Sequence, residues 1–101
     1  MPEPMQFLYK LIAPRPSFHV DMTDDEKQAM GLHMQYWASL TEQRIAVVFG
    51  PVFDPAGVWG LAIIEVADEM QAQSVGTGDP AVASGICRYE LAPMQIGMMR
   101  K

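Results

Sequence analysis

Two strand-like stretches of this chain are apolar on both of their faces, and that limits the possible folds more than any other feature. In "MQFLYKLIA" (5–13), Phe7, Tyr9 and Leu11 point one way while Leu8 and Ile12 point the other. In "VWGLAIIEV" (58–66), Trp59, Leu61 and Ile63 oppose Ala62, Ile64 and Val66. An antiparallel sheet with a solvated face carries polar side chains there. Here both faces ask for cover, and one layer of helices covers only one of them. A second copy packing sheet to sheet is the economical complement. The pattern therefore predicts a homodimer through the sheet face, which a higher oligomer could extend.

The remaining elements follow from local signals. Pro14 and Pro16 break the first strand and make "PRPSFHVDM" a loop. Thr23-Asp24-Asp25-Glu26 is a capping box, in which the Thr hydroxyl takes a backbone N–H and the Glu reaches back. It predicts a helix over 24–43, whose apolar marks Met30, Trp37 and Leu40 recur at steps of three and four with His33 in the same row. "RIAVVFG" (44–50) reads as strand two. "DPAG" (54–57) has Pro second and Gly fourth in a turn, so strands two and three form a hairpin. Asp68 caps a shorter helix, from 69 to about 76, closed by Gly76 or Gly78. Asp79-Pro80 opens one more turn, with Asp as N-cap, Pro at the first helical position and Gly85 past its end. "ICRYELAP" (86–93) is the last strand. The order β-α-β-β-α-β predicts an α+β, ferredoxin-like fold: a four-stranded antiparallel sheet with two helices on one face. At 101 residues this is one domain, 1–101, with its core over about 5–93 and an extension at 94–101.

Seven Lys and Arg against twelve Asp and Glu give a net charge of −5. That offers no basic footprint for nucleic acid or an anionic membrane. Cys87 is the only cysteine, so neither an intramolecular disulfide nor a thiolate zinc cluster is expected. "MPEPMQF" has no signal-peptide character, and no apolar run reaches bilayer length. These features point to the reducing cytoplasm.

His33 is the first candidate for chemistry. A histidine in an apolar helical row also serves as a core residue bonded to a carbonyl. A working histidine needs a partner and a pocket. Asp79 is a candidate partner, although an Asp before Pro at a helix start is already explained as an N-cap. His19 and Asp21 lie two apart in the proline-rich loop, but two groups fall short of the three or four ligands of a metal site. Asp54-Pro55 reads as turn chemistry. Arg15 is loop-borne and could meet an anion. Trp37 and Trp59 read as core, or as an aromatic wall beside a histidine. Cys87, in an apolar strand with no base near it in sequence, reads as a structural thiol. No nucleophile elbow, phosphate loop or H-E-x-x-H motif is present.

Three segments in register, "HMQYWASL" (33–40), "VVFGPV" (47–52) and "GDPAVASGICRYEL" (78–91), resemble the YciI-like, YCII-related family of small dimeric α+β barrel proteins. The resemblance spans most of residues 5–93. The family commonly has Gly near Arg44 and an aromatic after the Asp-Pro pair, where this chain has Ala81. What the resemblance implies is a His–Asp dyad in a cleft, falling on His33 and Asp79. Arg15, Phe18, Trp37, Gly50, Pro51 and Trp59 are the expected substrate-binding residues, with Gly50 supplying backbone freedom. Relatives by fold include lactone isomerases and a dehydrochlorinase of a chlorinated ring. The implied activity is therefore lyase- or isomerase-like acid–base chemistry on a small metabolite, with no metal and no cofactor. A non-catalytic ligand-binding or sensing module, a structural subunit and a haem monooxygenase remain as alternatives on the same fold.

Overall fold

A computed structural model describes residues 3–101. The elements are β1 (Met5–Ile12), α1 (Phe18–Asp21), α2 (Asp24–Glu42), β2 (Ala46–Val52), β3 (Trp59–Val66), α3 (Glu69–Gly78), α4 (Pro80–Ala83) and β4 (Arg88–Met94). All strand pairs are antiparallel and the sheet order is β2-β3-β1-β4. This is the ferredoxin-like α+β plan that the order of the elements predicts. β1 is central, so Tyr9 faces Ala62 on one side and Leu91 on the other.

The two faces of the sheet separate as the alternation requires. Phe7, Tyr9, Leu11, Ala62, Ile64 and Val66 are buried and share one core with Trp37 and Leu40 of α2 and Ala72 and Val75 of α3. Leu8, Ile12, Leu61 and Ile63 lie on the open face and are only half-buried. No helix among the described residues is long and apolar enough to cross a membrane.

Four local readings are corrected. The proline-rich segment is not all loop, because Phe18–Asp21 forms the helical turn α1. Phe18 anchors that turn in the core and Arg15 clamps its far end. The guanidinium donates from Nε to Asp21 Oδ1 at 2.8 Å, and from Nη1 and Nη2 to Glu26 at 2.9 and 2.7 Å. Strand two starts late, at Ala46, because Arg44 takes the left-handed conformation (φ 64°) and ends α2. The Ile45 N–H bonds to the Leu40 carbonyl and the Arg44 N–H to that of Thr41, the two bonds of a Schellman end. Glycine is the usual residue at that position, and here Arg44 takes it. α3 runs through Gly76 to Gly78 and stops because Pro80 forces Asp79 into extended backbone (ψ 123°). The last strand begins at Arg88 rather than at 86, because the Cys87 N–H is drawn to the Ala81 carbonyl of α4 at 2.9 Å.

Thr23 Oγ1 accepts the Glu26 N–H, and Glu26 Oε1 accepts the Thr23 N–H, completing the capping box. Glu26 thus serves both the cap and Arg15. Hydrogen bonds from Arg15, then from the Thr23 backbone, hold its carboxyl down at about 2, against an ordinary 4.5. A carboxyl lowered on folding stabilises the fold fully above its unfolded value and loses that contribution as pH falls through the folded one. The urea midpoint of the wild type is therefore expected to fall more steeply between pH 4.5 and about 2 than that of Glu26→Gln. Parallel acid profiles would show that the clamp carries no linkage.

Candidate functional site

Three segments bring their side chains to one buried carboxylate. Tyr9 comes from the middle of β1. His33 and Trp37 are one turn apart on the core-facing stripe of α2. Asp79 stands at the junction of α3 and α4, wholly buried. Its cap is formed, with Oδ1 accepting the Ala81 N–H at 2.9 Å. Capping uses only part of the carboxylate. Oδ2 also accepts from Tyr9 Oη at 2.9 Å and from Trp37 Nε1 at 2.8 Å. His33 Nδ1 lies 2.9 and 3.0 Å from the two oxygens.

The protonation pattern follows from these donors. Burial alone pushes the Asp79 carboxyl up, but the hydrogen bonds from His33 and Trp37, the His33 charge and the Ala81 amide bring it below its ordinary value. Burial, then the Asp79 charge and hydrogen bond, push the Tyr9 hydroxyl far above the ordinary tyrosine range. Asp79 is therefore an anion, and Tyr9 and Trp37 can only donate to it. His33 Nδ1 must donate as well, which in the neutral ring assigns the Nδ1–H tautomer and puts the lone pair on Nε2. Among the described residues Nε2 has no protein partner, and no buried side-chain nitrogen or oxygen lacks one. Nε2 is thus not sealed in the core.

His33 borders a cavity of about 200 Å³ between the helix face of the sheet and α1 and α2. Its walls are mainly apolar, including Phe18, Met30, Met34, Trp37 and Phe49, with His19 as a second imidazole.

The YCII-related domain family model matches residues 6–95. The chain belongs to the YCII-related domain family. No curated protein matches it. The matched span of this YCII-related chain runs from β1 to just past β4 and includes His33, Asp79 and Tyr9.

Phe18, Trp37, Gly50, Pro51 and Trp59 all border the cavity. The Trp59 indole is also engaged elsewhere: Lys10 Nζ sits 4.8 Å from the ring centroid and Nε1 donates to Asp54 at 3.2 Å. Arg15 is not brought to the cavity, since Asp21 and Glu26 occupy its guanidinium. Gly50 lines a wall, but its φ is not positive and nothing lies within 4 Å of where a Cβ would stand. Backbone freedom is therefore not its reason for being glycine. The close approach falls instead at Gly76, where a Cβ would run into the Tyr89 ring.

Sequence reasoning missed Tyr9, Phe49 and the methionines of the wall, and read His19 only as half of a pair too small for a metal site. A tyrosine on a buried strand face was the available signal, because a buried hydroxyl needs a partner. Cys87 also borders the cavity, and burial, then the Asp79 charge, push its thiol up to about 11, so it stays protonated. No group of three or more His, Cys, Asp or Glu among the described residues could hold a metal ion.

Proposed function

We propose that this YCII-related protein is a small lyase- or isomerase-like enzyme in which His33 moves a proton on a small, largely apolar metabolite. One observation carries the reading. A buried, fully bonded carboxylate fixes His33 Nδ1, and the His33 side chain borders an apolar cavity. In the forward step Nε2 takes a proton from an acidic C–H or O–H of the substrate. The imidazolium that forms keeps its Nδ1–H bond to the Asp79 anion, which stabilises the new charge. The proton then returns at another atom, an isomerisation, or the electron pair of the broken C–H bond forms a double bond while a leaving group departs with its own bonding pair, an elimination. His33 and Asp79 supply this chemistry with no cofactor, and the lone Cys87 thiol suits a cytoplasmic setting.

The scarcity of polar anchors in the cavity favours a second reading, a module that binds an apolar metabolite without turning it over. A screen of small metabolites in D2O separates the two. The enzyme reading expects deuterium incorporation or product formation that is lost in His33→Gln. A thermal shift with a ligand that persists in that variant, without any exchange, supports the binding module. Equal exchange in both proteins refutes the role given to His33.

The open sheet face supports a homodimer in the same reading. Leu8, Ile12, Leu61 and Ile63 line it, with Lys10 and Arg88 alongside Glu65 and Glu90. A face with both charge signs around an apolar centre can pair with itself about a two-fold axis. Light scattering at micromolar concentration is expected to give the dimer mass, and a monomer would overturn this assembly.

A further inference from the structure

We infer that Tyr9 is a positioning residue for His33, acting through Asp79. This rests on the reading of His33 as the working base, and it assigns the tyrosine hydroxyl a task beyond filling the core. Phe7 and Leu11, its neighbours on the same strand face, fill that core without any polar atom. The Tyr9 hydroxyl has one partner, Asp79 Oδ2 at 2.9 Å, with both residues buried.

The position of that hydroxyl is tightly determined. The Tyr9 backbone is paired on both sides in the central strand. Its ring is stacked on Tyr89, with centroids 5.7 Å apart and planes within 7°, and tilted against Trp37 at 4.8 Å. Tyr89 in turn lies over Gly76, where only a missing Cβ leaves room for the ring. A contiguous path therefore runs from Gly76 through Tyr89 and Tyr9 to Asp79 and His33.

The carboxylate is loaded unevenly. Oδ2 takes the Tyr9 and Trp37 donors, Oδ1 takes the Ala81 amide, and His33 Nδ1 sits between the two. Each donor on Oδ2 draws off charge that would otherwise pull on the His33 Nδ1–H. A stronger pull on that proton makes Nε2 more basic and more nucleophilic. Tyr9 thus sets how strong a base His33 is, in addition to where its partner stands.

Diethyl pyrocarbonate tests this without any substrate, because it acylates the unprotonated imidazole nitrogen. Peptide mass mapping separates the chain's two histidines, His33 and His19. The acylation rate is taken at its alkaline plateau, with His19 as the internal control. In Tyr9→Phe the His33 rate is expected to rise by at most roughly two- to tenfold while His19 keeps its rate, the factor equivalent to one net hydrogen bond. Site-specific Tyr9→3-fluorotyrosine removes nothing from the core and makes the hydroxyl a stronger donor, so the His33 rate is expected to fall.

A merely structural Tyr9 would lower the melting temperature of Tyr9→Phe and leave both His33 rates at the wild-type value, and that result overturns the inference. So does a shift of the same sign in both variants, or an equal shift at His19. If Tyr9→Phe does not fold, the fluorotyrosine protein decides alone. The outcome is independent of turnover. Unmoved acylation beside intact deuterium exchange rejects Tyr9 alone, and shifted acylation with no exchange rejects the enzyme reading alone.

Discussion

Asp79→Ala is expected to lose about 5 kcal/mol of folding stability, read from urea unfolding. The estimate has three parts. The N-cap bond to Ala81 is worth roughly 0.5–2 kcal/mol. The Tyr9 hydroxyl and the Trp37 indole N–H are left as buried donors with nothing to accept them, at about 1–3 kcal/mol each. A whole domain is stable by only about 5–15 kcal/mol, so the variant stands at the edge of folding. Asp79→Asn separates the charge from the cap. The amide oxygen can still accept the Ala81 N–H, but its NH2 group meets donors. Facing His33, it can donate to Nδ1 and so move the imidazole proton to Nε2, removing the base without removing the ring. If Asp79→Ala costs no more than the bare cap, the convergence of Tyr9, Trp37 and His33 on this carboxylate carries no energetic weight.

The fold was readable because its signals are local or periodic. Alternation along β1 and β3 separated Phe7, Tyr9 and Leu11 from Leu8 and Ile12, and the capping box at Thr23–Glu26 marked the start of α2. His33 and Asp79 were reached by spacing and by resemblance. Spacing put His33 on the row with Trp37, and the Asp-Pro pair put Asp79 at a helix start where its cap function alone explained it. That Asp79 also meets His33 depends on how α3 turns into α4 behind the sheet, which no local pattern encodes. Tyr9 was hidden for the same reason. Between Phe7 and Leu11 it looks like one more core aromatic, and its partner is 70 residues away. Arg15 shows the converse error. A loop arginine looks free to meet an anion, but α1 and the first turn of α2 offer Asp21 and Glu26 first. Its partners are Glu26, which reads as part of the capping box, and Asp21, which reads as a loop residue beside His19.

His33→Gln is expected to reduce exchange or turnover about 10²- to 10⁴-fold, the usual worth of a positioned acid–base group, while the protein stays folded. Glutamine suits this purpose better than alanine. Its amide NH2 can still donate toward Asp79, whose other donors, Tyr9, Trp37 and the Ala81 amide, are untouched. Alanine would leave the carboxylate one donor short beside an enlarged cavity, confusing lost chemistry with lost packing. The Asp79→Asn variant is expected to lose activity by a different route, with the imidazole present but its proton on the wrong nitrogen. Two lesions in one proton path do not add. The double variant His33→Gln, Asp79→Asn is therefore expected to be no slower than His33→Gln alone, although it is less stable. Additive losses in turnover would mean that Asp79 acts on the reaction by some path other than His33. The carboxylate is wholly buried and touches only protein donors, which leaves it no such path.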